Sequence, residues 1–142
     1  MSATETAKLK VGGSVRPAPS EEFSRGLATR REVMGDAYVD AALDRATDFT
    51  WPMQQLVTEY CWDNIWNRPG LDRRSRSILN LGMISVLNRP HELKGHVRGA
   101  LNNGLSKQEI QEIFLQVAIY VGVPAGIDSF RHAQDVFNEM GI

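Results

Sequence analysis

The 142-residue chain is poor in the residues on which much protein chemistry is built. It has one cysteine, Cys61, and three histidines. One cysteine excludes an intramolecular disulfide, and scattered histidines without a His/Cys cluster leave no dedicated metal site. A Gly-rich phosphate loop, Cys-x-x-Cys, His-Glu-x-x-His and a Ser-centred nucleophile elbow are all missing. An excess of one charge is missing too: 16 Lys and Arg stand against 17 Asp and Glu, a formal net charge of −1. Nucleic-acid binding rests on a strong basic excess, so that class is excluded. No apolar run is long enough to span a bilayer. Residues 1–20 lack the apolar core of a signal peptide and read as a poorly ordered leader, or as an arm that orders on a neighbouring subunit. The cytoplasm is then the default location.

What is present is helical punctuation. Ser20 followed by Glu21 and Glu22 reads as an N-cap with an acidic first turn, and the run to Met34 stops at Gly35. A second helix covers Asp36 to Ala46. A third starts near Pro52 and ends after Ile65, before Pro69-Gly70. A fourth opens at the N-cap Asp72 and is broken at Asn88-Arg89-Pro90. Pro90 fits the first turn of a fifth, which ends at Asn102-Asn103-Gly104. Ser106-Lys107-Gln108-Glu109 is a capping box that opens a sixth, and Gly122-Val123-Pro124 separates it from a seventh that ends at Met140. Apolar residues after position 20 recur every three to four positions and never alternate over any length. The reading is all-α: six or seven helices in one domain over residues 21–142, without a sheet. The fourth and sixth helices are apolar over much of their circumference. That predicts either a central hairpin or surface buried between subunits, and hence a homo-oligomer.

The chemistry gathers in two segments. Asp72 as N-cap puts Arg73, Arg74 and Arg76 into a first turn where the helix dipole already disfavours cations. They call for negative partners, either protein carboxylates or a bound anion. Glu92 and His96 form an ionisable pair at i,i+4 spacing. Together these features suit a small acidic substrate.

The chain also resembles the carboxymuconolactone decarboxylase family over nearly everything after Ser20. The resemblance is carried by Arg25-Gly26-Leu27 with the run Arg30–Asp36, by Thr58-Glu59-Tyr60-Cys61-Trp62, and by Ile65-Trp66-Asn67-Arg68-Pro69-Gly70-Leu71-Asp72-Arg73-Arg74. It continues through His91-Glu92-Leu93, His96-Val97-Arg98, the run Ala100–Gly104, the run Gln116–Ala125 and Phe130-Arg131. It implies the all-helical fold shared with alkylhydroperoxidase D and assembly into a trimer or hexamer. The redox branch of that fold carries Cys-x-x-Cys four residues ahead of the histidine. Counted back from His96, those positions hold Arg89 and Glu92, and the upstream glutamate position holds Ser77. Peroxidase chemistry by that route is therefore excluded. What remains is the decarboxylase branch, whose best-known member converts 4-carboxymuconolactone to 3-oxoadipate enol-lactone in aromatic catabolism.

That reaction needs an anion site, a stabilised oxyanion and a proton returned to carbon, with no metal or organic cofactor. His96 is the candidate proton donor or oxyanion partner. Its small neighbours Gly95, Gly99 and Ala100 leave room beside the ring, and Glu92 would orient it and raise its pKa, so that turnover falls at high pH. The plainer reading of His96 is an interface histidine. Glu59 shares a helical stripe with Gln55, Trp62 and Trp66. There a desolvated carboxyl can hold a proton near neutral pH, or can equally serve a structural salt bridge. Arg73 and Arg76 are the candidates for the substrate's carboxylates, against an ion-pair network with Glu32, Asp36 or Asp72. Trp62 is a candidate substrate wall, although such tryptophans more often fill cores. Cys61 reads as a small buried residue, His132 as solvated, and His91 as a capping or packing residue. The leading expectation is a cofactor-independent decarboxylase of a small anionic lactone. An isomerase or hydrolase on a related ring acid, and a non-catalytic oligomeric binding protein, are the alternatives.

Overall fold

Seven α-helices and a π-helix make up most of the computed structural model, which describes residues 9–142. The part of the expected leader that covers residues 1–8 lies outside the described residues. The chain divides into two compact units, Met1–Arg68 and Pro69–Ile142.

In the first unit, α1 spans Glu21–Met34 and α2 Asp36–Asp44. The Ser20 hydroxyl caps α1 by accepting from the Phe23 amide at 3.0 Å, which satisfies one of the otherwise unpaired first-turn N–H groups. Helix α3 covers Trp51–Leu56. The expected α-helix then changes pitch, and Val57–Ile65 is a π-helix whose end is marked by the Trp66 amide donating to the Cys61 carbonyl at 3.0 Å. Such widened helices are rare and concentrate at functional sites. Here the widened stretch receives α1 at very short range. A Cβ built on Gly26 would lie 1.9 Å from the Thr58 carbonyl oxygen.

The expectation of no sheet fails at the start of the chain. Strands β1 (Leu9–Val11) and β2 (Ser14–Arg16) form an antiparallel hairpin, Leu9 opposite Arg16. Gly12 and Gly13, at φ 55° and 76°, supply the positive-φ pair that a two-residue hairpin turn needs. Val11 carries the hairpin into the core of this unit, beside Val33, Val39, Leu43, Trp62 and Trp66.

The second unit holds α4 (Arg73–Leu87), α5 (Pro90–Asn102), α6 (Lys107–Tyr120) and α7 (Val123–Met140). Asp72 caps α4 by accepting from the Ser75 amide at 2.7 Å, and the Ser106–Glu109 capping box opens α6. The core is built from Leu81, Leu93, Val97, Ile110, Phe114 and Val136. Helices α4 and α6 are not wholly enclosed. On α4, Leu79, Met83, Val86 and Leu87 are 51%, 48%, 54% and 62% exposed, and on α6 Ile119 and Tyr120 are each 80% exposed. Among the described residues no helix is long and apolar enough to cross a membrane.

Candidate active-site residues and family membership

The π-helix redistributes the stripe expected around Glu59. Trp62 and Trp66 stack with ring centroids 4.9 Å apart and are 4% and 5% exposed, inside the core of the first unit. Trp62 thus sits with the core residues rather than with Glu59. Glu59 is half-buried and accepts from the Ser20 hydroxyl at 3.0 Å. It lines a cavity of about 170 Å³ together with Arg16, Phe23, Trp51 and Gln55. Arg16 lies over the Trp51 ring, 5.2 Å from its centroid, and pairs with Asp48 at 2.6 Å. The aromatic residues that line the Glu59 cavity are Phe23 and Trp51.

Cys61 is half-buried. Burial pushes its thiol above the ordinary range, opposed by a hydrogen bond with Trp66 and by the positive charge of Arg30. A thiol held in its protonated form is a poor nucleophile, in keeping with a packing role. On the same helix Asp63 receives Arg25 through Nε and Nη2, each at 3.1 Å. That fork is the first cause of the depressed Asp63 pKa.

In the second unit the arginine-rich helix start is present as the sequence predicts. Arg74 pairs with Glu109, the acidic member of the capping box. Arg76 donates from Nε to the Leu71 carbonyl at 3.2 Å, and the Arg73 carbonyl accepts from the Asn103 side chain at 3.4 Å. Both side chains are half-buried. Asp36, one of the expected partners of these arginines, is bonded to Arg31 instead, at 3.3 Å.

His96 lies on α5 between the buried Gly95 and Val97, with Glu92 one turn earlier and exposed. Glu92 raises the histidine pKa as expected, but the net shift is downward. Burial lowers the His96 pKa to about 4, and the Glu92 charge only partly opposes it. Desolvation outweighs a carboxylate that is itself in solvent, where its field is screened. His96 is therefore a neutral imidazole at neutral pH. His91 is exposed. His132 is half-buried rather than solvated; its Nδ1 is shut off from solvent without a partner, and the ring borders a cavity of about 220 Å³ with Ser85, Arg89 and Asp128.

The sequence model of the carboxymuconolactone decarboxylase family matches residues 52–135. The chain belongs to the carboxymuconolactone decarboxylase family. Within it, the chain is 45% identical over 118 residues to the nitrosuccinic acid decarboxylase of Metarhizium robertsii, covering 83% of this chain and 82% of that one. It is 34% identical over 122 residues to the 4-carboxymuconolactone decarboxylase of Acinetobacter baylyi, covering 86% and 91%. It is also 37% identical over 86 residues to an uncharacterised 15.0 kDa protein of Paracoccus denitrificans, over 58% of this chain and 63% of that one. Like these decarboxylases of the family, the chain is a carboxy-lyase.

Proposed function

We propose that this carboxy-lyase removes carbon dioxide, without a cofactor, from a small acid whose departing carboxylate is conjugated to an oxygen acceptor and which carries a second anionic or ring-ester group. One observation carries the reading. Two relatives aligned over more than four-fifths of this chain are named for different acids, nitrosuccinic acid and 4-carboxymuconolactone, and the two share this electronic plan. In the first, the carboxylate beside the nitro group can leave its electron pair on the nitro oxygens as a nitronate. In the second, the pair passes through a double bond to the lactone carbonyl as a dienolate. In both, the carbon–carbon bond breaks, carbon dioxide departs, and a proton then returns to carbon. The greater identity to the nitrosuccinic acid enzyme favours the open-chain acid over the lactone. A place in aromatic catabolism would follow only from turnover of the lactone.

The role of His96 follows from its charge state. A neutral imidazole does not serve as a strong acid, but its N–H can donate to an oxygen on which charge develops, a service for which a neutral ring is well matched. Glu92 orients that ring, and Arg73 and Arg76 at the start of α4 are the candidates for holding the substrate's carboxylate. Glu59 is the alternative proton source. We also infer that the chain self-associates, because the stripe Leu79, Met83, Val86 and Leu87 on α4 leaves more apolar surface in water than a monomer favours.

The test is to incubate purified protein separately with nitrosuccinate and with 4-carboxymuconolactone and to follow carbon dioxide release. Release from either acid at an enzymic rate is the expected result. Both acids unchanged after long incubation would remove the proposed substrate class.

A further inference from the structure

We infer that Arg30 is a carboxylate-binding residue, with its guanidinium held by Gln54 so that a free N–H edge receives one carboxylate of a small organic acid. The kind of ligand rests on the proposed function; the site itself rests on the geometry of the first unit.

Arg30 is 6% exposed. Its Nη1 donates to the Gln54 Oε1 at 2.8 Å. Among the described residues no carboxylate pairs with it, and the neighbours that act on it are the neutral Tyr38 and Cys61 and the cationic Arg31. The other arginines around it are spent differently: Arg16 holds Asp48, Arg25 holds Asp63, and Arg31 holds Asp36 and Asp40. A buried cation without a counter-charge is costly, and burial accordingly holds its pKa below the ordinary arginine value. It nevertheless stays charged at neutral pH, because a guanidinium does not lose its proton in proteins.

The free edge can be reached. Among the described residues Nε and Nη2 have no hydrogen-bond partner, and neither is shut off from solvent, while the residue as a whole is buried. Two N–H groups in a fixed fork match the two oxygens of a carboxylate. The residue that steers the fork is an amide. A glutamate at position 54 would steer it equally well but would neutralise it; a glutamine fixes the geometry and leaves the charge available. Arg30 also lies one helical turn beyond Gly26, where α1 meets the π-helix at closest range, so its backbone is held on rigid elements.

The experiment uses full-length protein and succinate, a diacid with no electron sink and hence no route to decarboxylation. Binding is measured by calorimetry, and the melting temperature is followed with and without succinate. The parent is expected to bind saturably and to melt higher with succinate. Arg30→Met is expected to lose about 30-fold or more in affinity, while melting no lower than the unliganded parent, because the uncompensated charge is gone. If it melts lower, Arg30→Lys decides: a folded lysine variant with weakened binding supports the fork, and one that binds like the parent overturns it. Unchanged affinity in Arg30→Met, or no succinate binding by the parent at millimolar concentration, also overturns it. Failure of the two readings is separable. Succinate binding that depends on Arg30 without carbon dioxide release from either test acid would refute the proposed function alone. Turnover with KM unaltered in Arg30→Met would refute the anchor alone.

Discussion

A methyl group on Gly26 would lie 1.9 Å from the carbonyl oxygen of Thr58 and 2.9 Å from its carbonyl carbon. Both are backbone atoms, so no rotamer change relieves the contact. In an ordinary helix interior, Gly→Ala stabilises by about 1 kcal/mol. Here the sign reverses. Gly26→Ala is expected to destabilise by about 3 kcal/mol, the upper end of overpacking costs, because α1 and the π-helix must move apart. Chemical denaturation of the two proteins measures it, and an alanine variant as stable as the parent would show that the helices can separate freely.

The depressed pKa of His96 makes two linked statements about pH. Between its ordinary value of 6.5 and its folded value of about 4, the unfolded chain binds a proton that the folded chain refuses. Stability contributed by the neutral ring is therefore complete above about 6.5 and is lost as pH falls toward 4, by up to ~3 kcal/mol. His96→Gln is expected to flatten the melting-temperature profile over this range. Catalysis should follow the same proton: kcat/KM holds steady through neutral and mildly alkaline pH and declines only as the acid limb approaches about 4. In His96→Gln, turnover should fall about 10²-fold, in keeping with loss of one oxyanion donor. A parent profile that instead drops at high pH with histidine-like titration would restore the imidazolium as the acting species.

Arg73→Ala and Arg76→Ala are expected to weaken substrate binding by about 2–4 kcal/mol if either holds a desolvated carboxylate. KM should rise more than kcat falls. Steady-state kinetics of the two variants measures both parameters. If both helix-start variants match the parent, Arg73 and Arg76 serve α4 itself.

The apolar stripe of α4 should hold copies of the chain together. Sedimentation at micromolar concentration is expected to show an oligomer, and Met83→Glu with Leu87→Glu should shift it toward monomer. A stable, active monomer in the parent would rule the assembly out.

What the sequence makes legible here is whatever is local. Ser20, Asp72 and Ser106 each cap the helix they announce, because an N-cap is a bond between a side chain and an amide three residues away. The hairpin is local in the same way, because Gly12-Gly13 between short extended runs is a turn signal. The other misses are tertiary. Nothing in the composition of Val57–Ile65 announces a change of hydrogen-bond register, so the sequence yields an α-helical stripe where the structure has a π-helix. The charge of His96 depends more on how much protein surrounds the ring than on the glutamate four residues earlier. Arg30 and Arg31 are adjacent and alike in sequence; only the fold gives Arg31 two carboxylates and, among the described residues, Arg30 none.

The π-helix also bears on how this chain is compared with others. Each of its hydrogen-bonded rings encloses one residue more than a ring of α-helix. A relative that runs a plain α-helix through Val57–Ile65 therefore reaches the same end point with fewer residues, and its alignment to this chain needs a gap inside an unbroken helix. Such a gap would be a measurement of pitch rather than a flaw in the alignment. By the same reasoning, deleting a single residue there from this chain would let the segment close into plain α-helix and still deliver Trp66 near its place, a milder change than the same deletion in an ordinary helix.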